Sequence, residues 1–274
     1  MKDLLLYEKM DVLENNFPIK LISSKRYTAL LPHWHEHYEL LFFLHGECEA
    51  FCDGKKILVK AGDLVVSNST QVHSFNSDGM VLFHALIVSP DLFSDIELND
   101  RMALNHVPCD PFVKECFANL EDAYRDYKNK VLGSDMKVKG IVYSLFAHLF
   151  NKFSEKKDIQ SEQHTVQIKR LHTVFNYISE HYHENLTTKD LADMCFVTES
   201  YFCRFFKKST GMTLAKYITE VRIKKAQLLL ENTSDGISTI AWNVGFDDAN
   251  YFARTFRNTT GITPTQYRKK QVKV

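Results

Sequence analysis

Residues 201–217 read YFCRFFKKSTGMTLAKY, and residues 251–267, fifty positions later, read YFARTFRNTTGITPTQY. Eight of the seventeen aligned positions are identical, more than unrelated segments share by chance. A shorter helical pattern precedes each copy: LTTKDLADMC in the first and ISTIAWNVGF in the second. The repeated unit is therefore predicted to be a helix, a tight turn and a second helix. Thr188 and Ser238 are the predicted N-caps of the two preceding helices.

The second helix of each copy is predicted to have one buried and one exposed face. Phe202 and Phe206 lie four residues apart, as do Phe252 and Phe256, and this spacing favours a single apolar face. The opposite face is free to contact a partner. The predicted contact residues are Thr198, Ser200, Cys203, Arg204 and Lys207 in the first copy, and Ala249, Asn250, Arg254 and Arg257 in the second.

The charge of the chain suggests what that partner is. Overall, 34 Lys and Arg balance 34 Asp and Glu, but the region from Ile168 to the end carries a net charge of +6 and the preceding region −6. Positive charge concentrated on paired helix-turn-helix units is typical of a protein that binds DNA. The partner is therefore predicted to be double-stranded DNA.

A long amphipathic segment, residues 215–232, joins the two copies and reads AKYITEVRIKKAQLLLEN. As a helix of about sixteen residues it would be roughly 24 Å long. Such a rigid spacer would let two recognition helices enter successive major-groove segments on one face of a duplex.

The C-terminal region resembles the DNA-binding domain of AraC/XylS-type transcription regulators. The resemblance covers residues from near Ile168 to Lys270, and is carried by the tandem units, by the closing sequence GITPTQYR at 261–268, and by four positions of the connecting helix: Arg222, Ile223, Ala226 and Leu230. It implies that the second helix of each unit reads bases.

The side chains on the exposed faces allow specific base contacts to be assigned as expectations. Arg204 and Arg254 could each pair with O6 and N7 of guanine, and Asn250 could pair with adenine. Cys203, Ala249 and Ala253 depart from the polar residues often found in the family, so they would offer apolar contact, for example to a thymine methyl group.

The N-terminal region is predicted to be a small β-structure. Short apolar runs alternate with turn signals, among which Asp53-Gly54 is a strong two-residue hairpin turn. Residues 61–63, Ala-Gly-Asp, turn the chain again before LVVS, and residues 80–88 form a further buried strand. Strands at this spacing favour a β-sandwich or a small barrel.

Histidine and glutamate residues in this region resemble the motifs of the cupin barrel. The first motif, His33-x-His35-x3-Glu39-x6-Gly46, fits fully. The second, with Gly62 and His73, departs from the pattern, since Asn68 and Thr70 replace its Pro and Gly. Residues two apart in a strand share a face, so these side chains are expected to project into the barrel mouth. The expected effector pocket comprises His33, Trp34, His35, His37, Tyr38, Glu39 and His73.

Two chemistries suit such a pocket. Three imidazoles and a carboxylate are a suitable set for a divalent transition metal, with His33, His35, Glu39 and His73 as the candidate ligands, which would make the barrel a metal-dependent cupin enzyme fused to a DNA-binding domain. The resemblance to AraC-type regulators instead implies a small organic effector, often a sugar, bound without metal. We favour the second interpretation and expect no cofactor and no catalysis.

Two helical patterns follow the barrel, at residues 111–131 and 134–153, and predict an antiparallel hairpin. In relatives of the family this is where subunits pair, so a homodimer is expected. The predicted domains are a cupin-like barrel at 1–108, the dimerisation hairpin at 109–153, a polar linker at 154–167 and the tandem helix-turn-helix domain at 168–274.

The remaining features of the sequence bear on the compartment. The N-terminus lacks the apolar run of a signal peptide, and no uncharged apolar stretch approaches the length of a membrane span. Six scattered cysteines without a C-x-x-C pair are typical of free thiols. A cytoplasmic, membrane-independent transcription regulator is expected, with RNA polymerase as a further partner.

Overall fold

The chain divides into two compact units, one ending at Ile168 and the other running on from Lys169. The computed structural model describes residues 17–96, 105–153 and 162–271. The first unit combines strands with a helical hairpin, and the second is entirely helical over its described residues, as the sequence predicts.

The first unit is built around a nearly closed antiparallel β-barrel. The long strand β6 is central, because it pairs with β1 on one side and with β2 and β3 on the other. The outer strands β4, β5 and β7 extend the sheet from β3 and β2. The strands are β1 Ile19–His33, β2 Tyr38–His45, β3 Glu47–Cys52, β4 Lys55–Lys60, β5 Leu64–Ser67, β6 His73–Val88 and β7 His106–Val107.

The predicted hairpin turn between β3 and β4 is confirmed. Asp53 and Gly54 both have positive φ, 48° and 79°, and the flanking residues Cys52 and Lys55 are paired. Two successive left-handed residues give a turn whose twist matches that of the strands. The two strands are therefore set in register by the turn itself.

Alternation along β2 separates two hydrophobic cores. Leu41 and Phe43 point into the barrel, whereas Leu40 and Phe42 point outward towards two helices, α1 Pro111–Lys128 and α2 Ser134–Phe153. On the outer face the ring of Phe42 stacks on that of Phe117 with centroids 4.9 Å apart. Full burial of one such side chain contributes about 1.5–3 kcal/mol. The predicted helical hairpin is thus confirmed as a cover for the barrel.

The second unit contains paired helix-turn-helix elements. Helix α3, Glu162–His181, begins before the boundary at Ile168 and continues into this unit. The helices that follow are α4 Thr188–Met194, α5 Glu199–Thr210, α6 Leu214–Asn232, α7 Ile237–Asn243, α8 Ala249–Thr260 and α9 Pro264–Gln271. Helix α3 begins at Glu162, inside the segment predicted as linker, while residues 154–161 of that segment lie outside the described residues. Of the helices described, none has the length and apolar character to cross a bilayer.

The duplication extends to individual hydrogen bonds. Thr210 at the end of α5 donates to the carbonyl of Phe206 at 2.7 Å, and Thr260 at the end of α8 donates to that of Phe256 at 2.8 Å. Both phenylalanines are fully buried. These four matched positions of the sequence repeat are therefore core and capping residues that close the two helices in the same way.

The predicted N-caps of α4 and α7, the first helices of the two helix-turn-helix elements, are wrong by one or two residues. Thr187, not Thr188, caps α4, because Asp190 completes a reciprocal capping box with the Thr187 side chain and backbone. Helix α7 begins already at Ile237, so Ser238 lies within the helix. The N-cap is Gly236, which has no side chain to bond the first turn.

Candidate functional sites

Helix α5 presents a polar stripe to solvent. Ser200, Cys203, Arg204 and Lys207 are all exposed, and their spacing of three, four and seven residues aligns them along one line of the helix. Thr198 stands just ahead of this line and caps α5 by accepting a hydrogen bond from the Tyr201 N–H.

Helix α8 presents the corresponding stripe. Asn250, Arg254 and Arg257 are exposed, whereas Ala249 and Ala253 are half-buried. The Arg254 guanidinium lies 5.6 Å from the ring centroid of Tyr251, whose side chain is 50% exposed. Such a cation–π contact holds the guanidinium near the helix surface. Tyr251 was not among the predicted contact residues, although its position three residues before Arg254 could have indicated it.

The barrel holds a buried cluster of three histidines around one carboxylate. His33 ends β1, Glu39 lies in β2 and His73 begins β6, while His35 lies in the turn between the first two strands. The Nε2 atoms of His73, His35 and His33 lie 2.7, 3.5 and 3.9 Å from Glu39 Oε2. All four residues are at most 6% exposed.

Each of the three rings is oriented by a backbone carbonyl. His33 Nδ1 donates to the oxygen of Leu31 at 2.8 Å, and His73 Nδ1 donates to that of Gln71 at 2.8 Å. The carbonyl of His37 accepts in the same way from His35 Nδ1 at 3.0 Å. Since a carbonyl oxygen can only accept, the proton of each ring is assigned to Nδ1. In their neutral forms, all three rings thus turn an Nε2 lone pair towards Glu39.

The electrostatics of the cluster favour an ionised carboxylate. Burial alone would raise the pKa of Glu39, but the neighbouring His35 and His73 rings outweigh it and hold this pKa well below its ordinary value. Burial, followed by the charge of His73, lowers the pKa of His33 from 6.5 to about 3. The ring of His33 is therefore neutral near pH 7.

The structure corrects the expected membership of this pocket. The histidines do not share one strand face, because the chain turns at residues 34–37. His37 is only half-buried and its ring centroid lies 6.1 Å from that of His35. Tyr38 faces away from Glu39, and packs instead against Phe93 and Phe146 on the helical side of the sheet. Trp34 is buried, with 8% of its surface exposed.

Two further polar residues that the sequence did not indicate lie beside the cluster. Cys52 is opposite His73 in the β-ladder, and Ser67 is opposite Glu39. The Cys52 sulfur lies 4.0 Å from the Ser67 hydroxyl, and burial raises the pKa of this thiol to about 12. Cross-strand register was the signal needed to find them, and a single sequence does not contain it.

A separate open cleft lies at the other end of β3. It has a volume of about 450 Å³, within the range typical of small-molecule pockets. Its lining combines carboxylates, an amide and a hydroxyl with two exposed apolar side chains: Glu47, Glu49, Asn76, Ser77, Asp78, Leu58 and Met80. None of these residues was singled out from the sequence.

A barrel with an internal polar site, joined to paired helix-turn-helix units with exposed basic stripes, defines a ligand-responsive transcription regulator. A model of the AraC-like ligand binding domain matches residues 24–146, and a helix-turn-helix domain model matches residues 191–270. The chain belongs to the AraC-type family of transcription regulators, which combine a ligand-binding N-terminal domain with a DNA-binding helix-turn-helix domain.

Curated relatives agree with this assignment. The chain is 26% identical over 252 residues to the helix-turn-helix-type transcriptional regulator YdeC of Bacillus subtilis, covering 86% of this chain and 85% of the relative. It is 22% identical to the transcriptional activator RhaS of Escherichia fergusonii, covering 88% of each. The Msm operon regulatory protein of Streptococcus mutans is 30% identical over 141 residues, but that match spans about half of each chain, 50% and 49%.

A solved structure shares the overall fold. The crystal structure of an apo ToxT variant from Vibrio cholerae matches with a TM-score of 0.50 and 15% identity, and the match covers 93% of this chain and 98% of that one. At this identity the likeness concerns the fold alone.

Proposed function

We propose that this regulator binds a specific operator as a homodimer in the cytoplasm, and that Arg204 and Arg254 read bases. The observation that carries the proposal is the repeated stripe: exposed side chains at matching positions of α5 and α8, each on a helix whose other face is buried. An arginine fork can pair bidentately with guanine, and a basic stripe also approaches the phosphate backbone. Lys207 and Arg257 are the proposed phosphate contacts.

The connecting helix supports reading at two places. Helix α6 has 19 residues, a length of about 28 Å at 1.5 Å per residue. One helical turn of DNA rises about 34 Å, so recognition elements held by such a spacer can reach neighbouring major-groove segments.

Selection from random duplexes with the full chain tests this function. The expected result is one recurrent motif with two conserved blocks about one helical turn apart. The selection at moderate salt could instead recover unrelated sequences, and competitor DNA could abolish binding to all of them equally. That result would reject operator recognition and leave only non-specific DNA binding.

The effector is proposed to be a small molecule bound by the barrel, and carbohydrates are the first class to screen. The His33–His73 cluster is too closed for a sugar ring, since its ligand atoms lie within 4.8 Å of one another. The cleft near Asn76 is larger and offers carboxylate, amide and hydroxyl groups that suit sugar hydroxyls. Binding would shift the regulator between states only if the two states differ in affinity for the effector.

A sugar panel screened by thermal shift tests the effector proposal. A ligand should raise the unfolding temperature, lose this effect in the Asn76→Ala variant and change operator affinity. The ligand should be recovered unchanged, because the proposal is binding without turnover. A barrel ligand that leaves operator affinity and transcription unaltered would contradict it.

Exposed apolar side chains on the helical hairpin support the proposed homodimer. Phe112, Met136 and Tyr143 are 37%, 74% and 38% exposed. Sedimentation at micromolar concentration should give a dimer, and a monomer there would contradict the proposal. RNA polymerase is the further proposed partner, to be tested by transcription in vitro from the selected operator.

A further inference from the structure

The histidine cluster directs more acceptors inward than the protein itself can satisfy. The backbone bonds at the Nδ1 atoms leave three Nε2 lone pairs facing the Glu39 carboxylate. Lone pairs and a negative charge repel one another unless something positive lies between them. The buried arrangement therefore requires a partner that donates positive charge to all of them.

A single proton accounts for only one of these contacts. The distance of 2.7 Å between His73 Nε2 and Glu39 Oε2 is that of a hydrogen bond with one shared proton. His33 Nε2, His35 Nε2 and Glu39 Oε1 are buried and have no hydrogen-bond partner. Each such unsatisfied buried atom is costly, and native structures retain few of them.

A water molecule would not resolve the shortage. Water donates two hydrogen bonds, whereas three acceptors lack a donor here. A larger organic ligand does not fit either, because the four residues are at most 6% exposed and their ligand atoms lie within 4.8 Å of one another. A compact cation can face all the acceptors at once.

We propose that His33, His35, Glu39 and His73 form a binding site for one divalent transition-metal ion. Metal–nitrogen and metal–oxygen bonds measure about 2.0–2.2 Å, so opposite ligands lie at most about 4.4 Å apart, and the widest pair needs to close by a few tenths of an ångström. Imidazole and carboxylate ligands suit zinc, iron, nickel, cobalt or manganese, whereas calcium and magnesium prefer an all-oxygen set.

The surroundings have the features of a supported metal site. Each ring donates its other N–H to a carbonyl, which fixes the tautomer that a metal needs. The pairing of β1 with β6 sets His33 opposite His73, and the pairing of β2 with β6 joins the strand of Glu39 to the same sheet. The ion would therefore link the start of β2 to the paired ends of β1 and β6.

The test uses the full chain, stripped with a chelator and then titrated with Co²⁺ and with Zn²⁺. One equivalent of Co²⁺ should produce visible d–d absorption, Zn²⁺ should displace it, and one equivalent of either ion should raise the thermal unfolding temperature. No absorption and no stabilisation with one equivalent of either ion would overturn the site. DNA takes no part in this titration, so its failure is distinguishable from a failure of operator recognition.

Variants test which residues bind the ion. Glu39→Gln and His73→Ala should each weaken Co²⁺ binding at least about tenfold, since even the loss of an outer-shell partner costs that much. His37→Ala is the matched control, because it removes a neighbouring ring but keeps the carbonyl that orients His35. Far-UV circular dichroism checks that each variant is folded. Equal Co²⁺ affinity in folded Glu39→Gln and wild-type protein, or equal losses in His37→Ala and His73→Ala, would overturn the assignment.

Discussion

Arg204 and Arg254 occupy the same place in two helices fifty residues apart. Each lies six residues after its N-cap, Thr198 in α5 and Asp248 in α8, and each is exposed to solvent. The duplicated helices therefore present two guanidinium groups in equivalent settings.

Replacing Arg254 with Ala should weaken binding to the selected operator by about 1–3 kcal/mol and relax preference at one base pair. Arg254→Lys keeps the charge but loses the fork, so it should recover only part of the affinity. Fluorescence anisotropy on the operator and on single-base variants measures both effects. Lys216→Ala removes an exposed charge from α6 and serves as the control. Uniform weakening on all duplexes would mean that Arg254 contacts phosphate only.

Thiol alkylation should map the same stripe. All six cysteines, each within the described residues, are free; Cys109 and Cys203 are exposed and the other four are buried. Iodoacetamide should label these two in the native protein, and operator DNA should protect Cys203 on α5 but leave Cys109 reactive. Mass spectrometry of the digests measures both sites. If Cys203 is labelled equally fast in the presence of saturating DNA, α5 does not enter the groove.

Gly245 should tolerate no side chain. Its φ is +88°, and a Cβ there would lie 2.7 Å from the carbonyl oxygen of His183. Gly245→Ala should lower the free energy of unfolding by roughly 2–5 kcal/mol, because the strain of the left-handed backbone and the overpacking against His183 add to one another. Gly261→Ala is the matched comparison, since its φ is +79° but nothing lies within 4 Å of the new methyl group. It should cost only the strain, about 1–2 kcal/mol.

Urea unfolding followed by Trp242 fluorescence, in a Trp34→Phe background, reports on the helical unit alone, because the chain has two tryptophans, one in each unit. Equal losses of unfolding free energy in the two glycine variants would show that the close approach to His183 does not add to the cost of the Gly245 substitution.

Protonation of Asp110 should make the barrel unit less stable in acid. It caps α1 and pairs with Lys152 at 2.7 Å and with His148 at 3.1 Å. Burial would raise its pKa, but the Lys152 ammonium, the Val113 N–H and the His148 ring together hold this pKa below 3.8. A lowered folded-state pKa gives stability that is present above 3.8 and is lost as the pH falls through the folded value.

Asp110→Asn keeps a capping side chain but removes the charge. The substitution should lower the free energy of unfolding by about 1 kcal/mol at pH 7, a modest value because the Lys152 side chain is solvent-exposed. The difference from wild type should shrink below pH 3.8. Trp34 fluorescence in a Trp242→Phe background measures it. Asp122→Asn, which breaks an exposed pair with Arg125, should have almost no effect. A difference for Asp110→Asn that persists at low pH would rule out the charge as its cause.

Local patterns in the sequence predicted most of the fold. The repeated helices, the Asp53-Gly54 turn and the helical hairpin each depend on residues close together in the chain, and each is present. The predicted cap of α4 was one residue too late, because the choice of Thr187 depends on its reciprocal bond with Asp190.

The barrel cluster was predicted less completely, because it depends on pairing between distant segments. Spacing identified His33, His35, Glu39 and His73, but it could not show that a turn excludes the His37 ring. Tyr38 precedes Glu39 directly, so the two-residue period of a strand places it on the opposite face. The neighbours Cys52 and Ser67 follow only from the ladder register.

The pairing of β1 with β6 has a consequence for biosynthesis. Ile19 lies opposite Val88, so the start of β1 meets its partner only after nearly seventy further residues have been added. Contacts so distant in sequence form slowly compared with local helical ones. During synthesis the early strand exposes its edge to other chains, and a slow ribosome prolongs this period. Barrel assembly, rather than formation of the helical repeats, should therefore limit the yield of folded regulator in a cell.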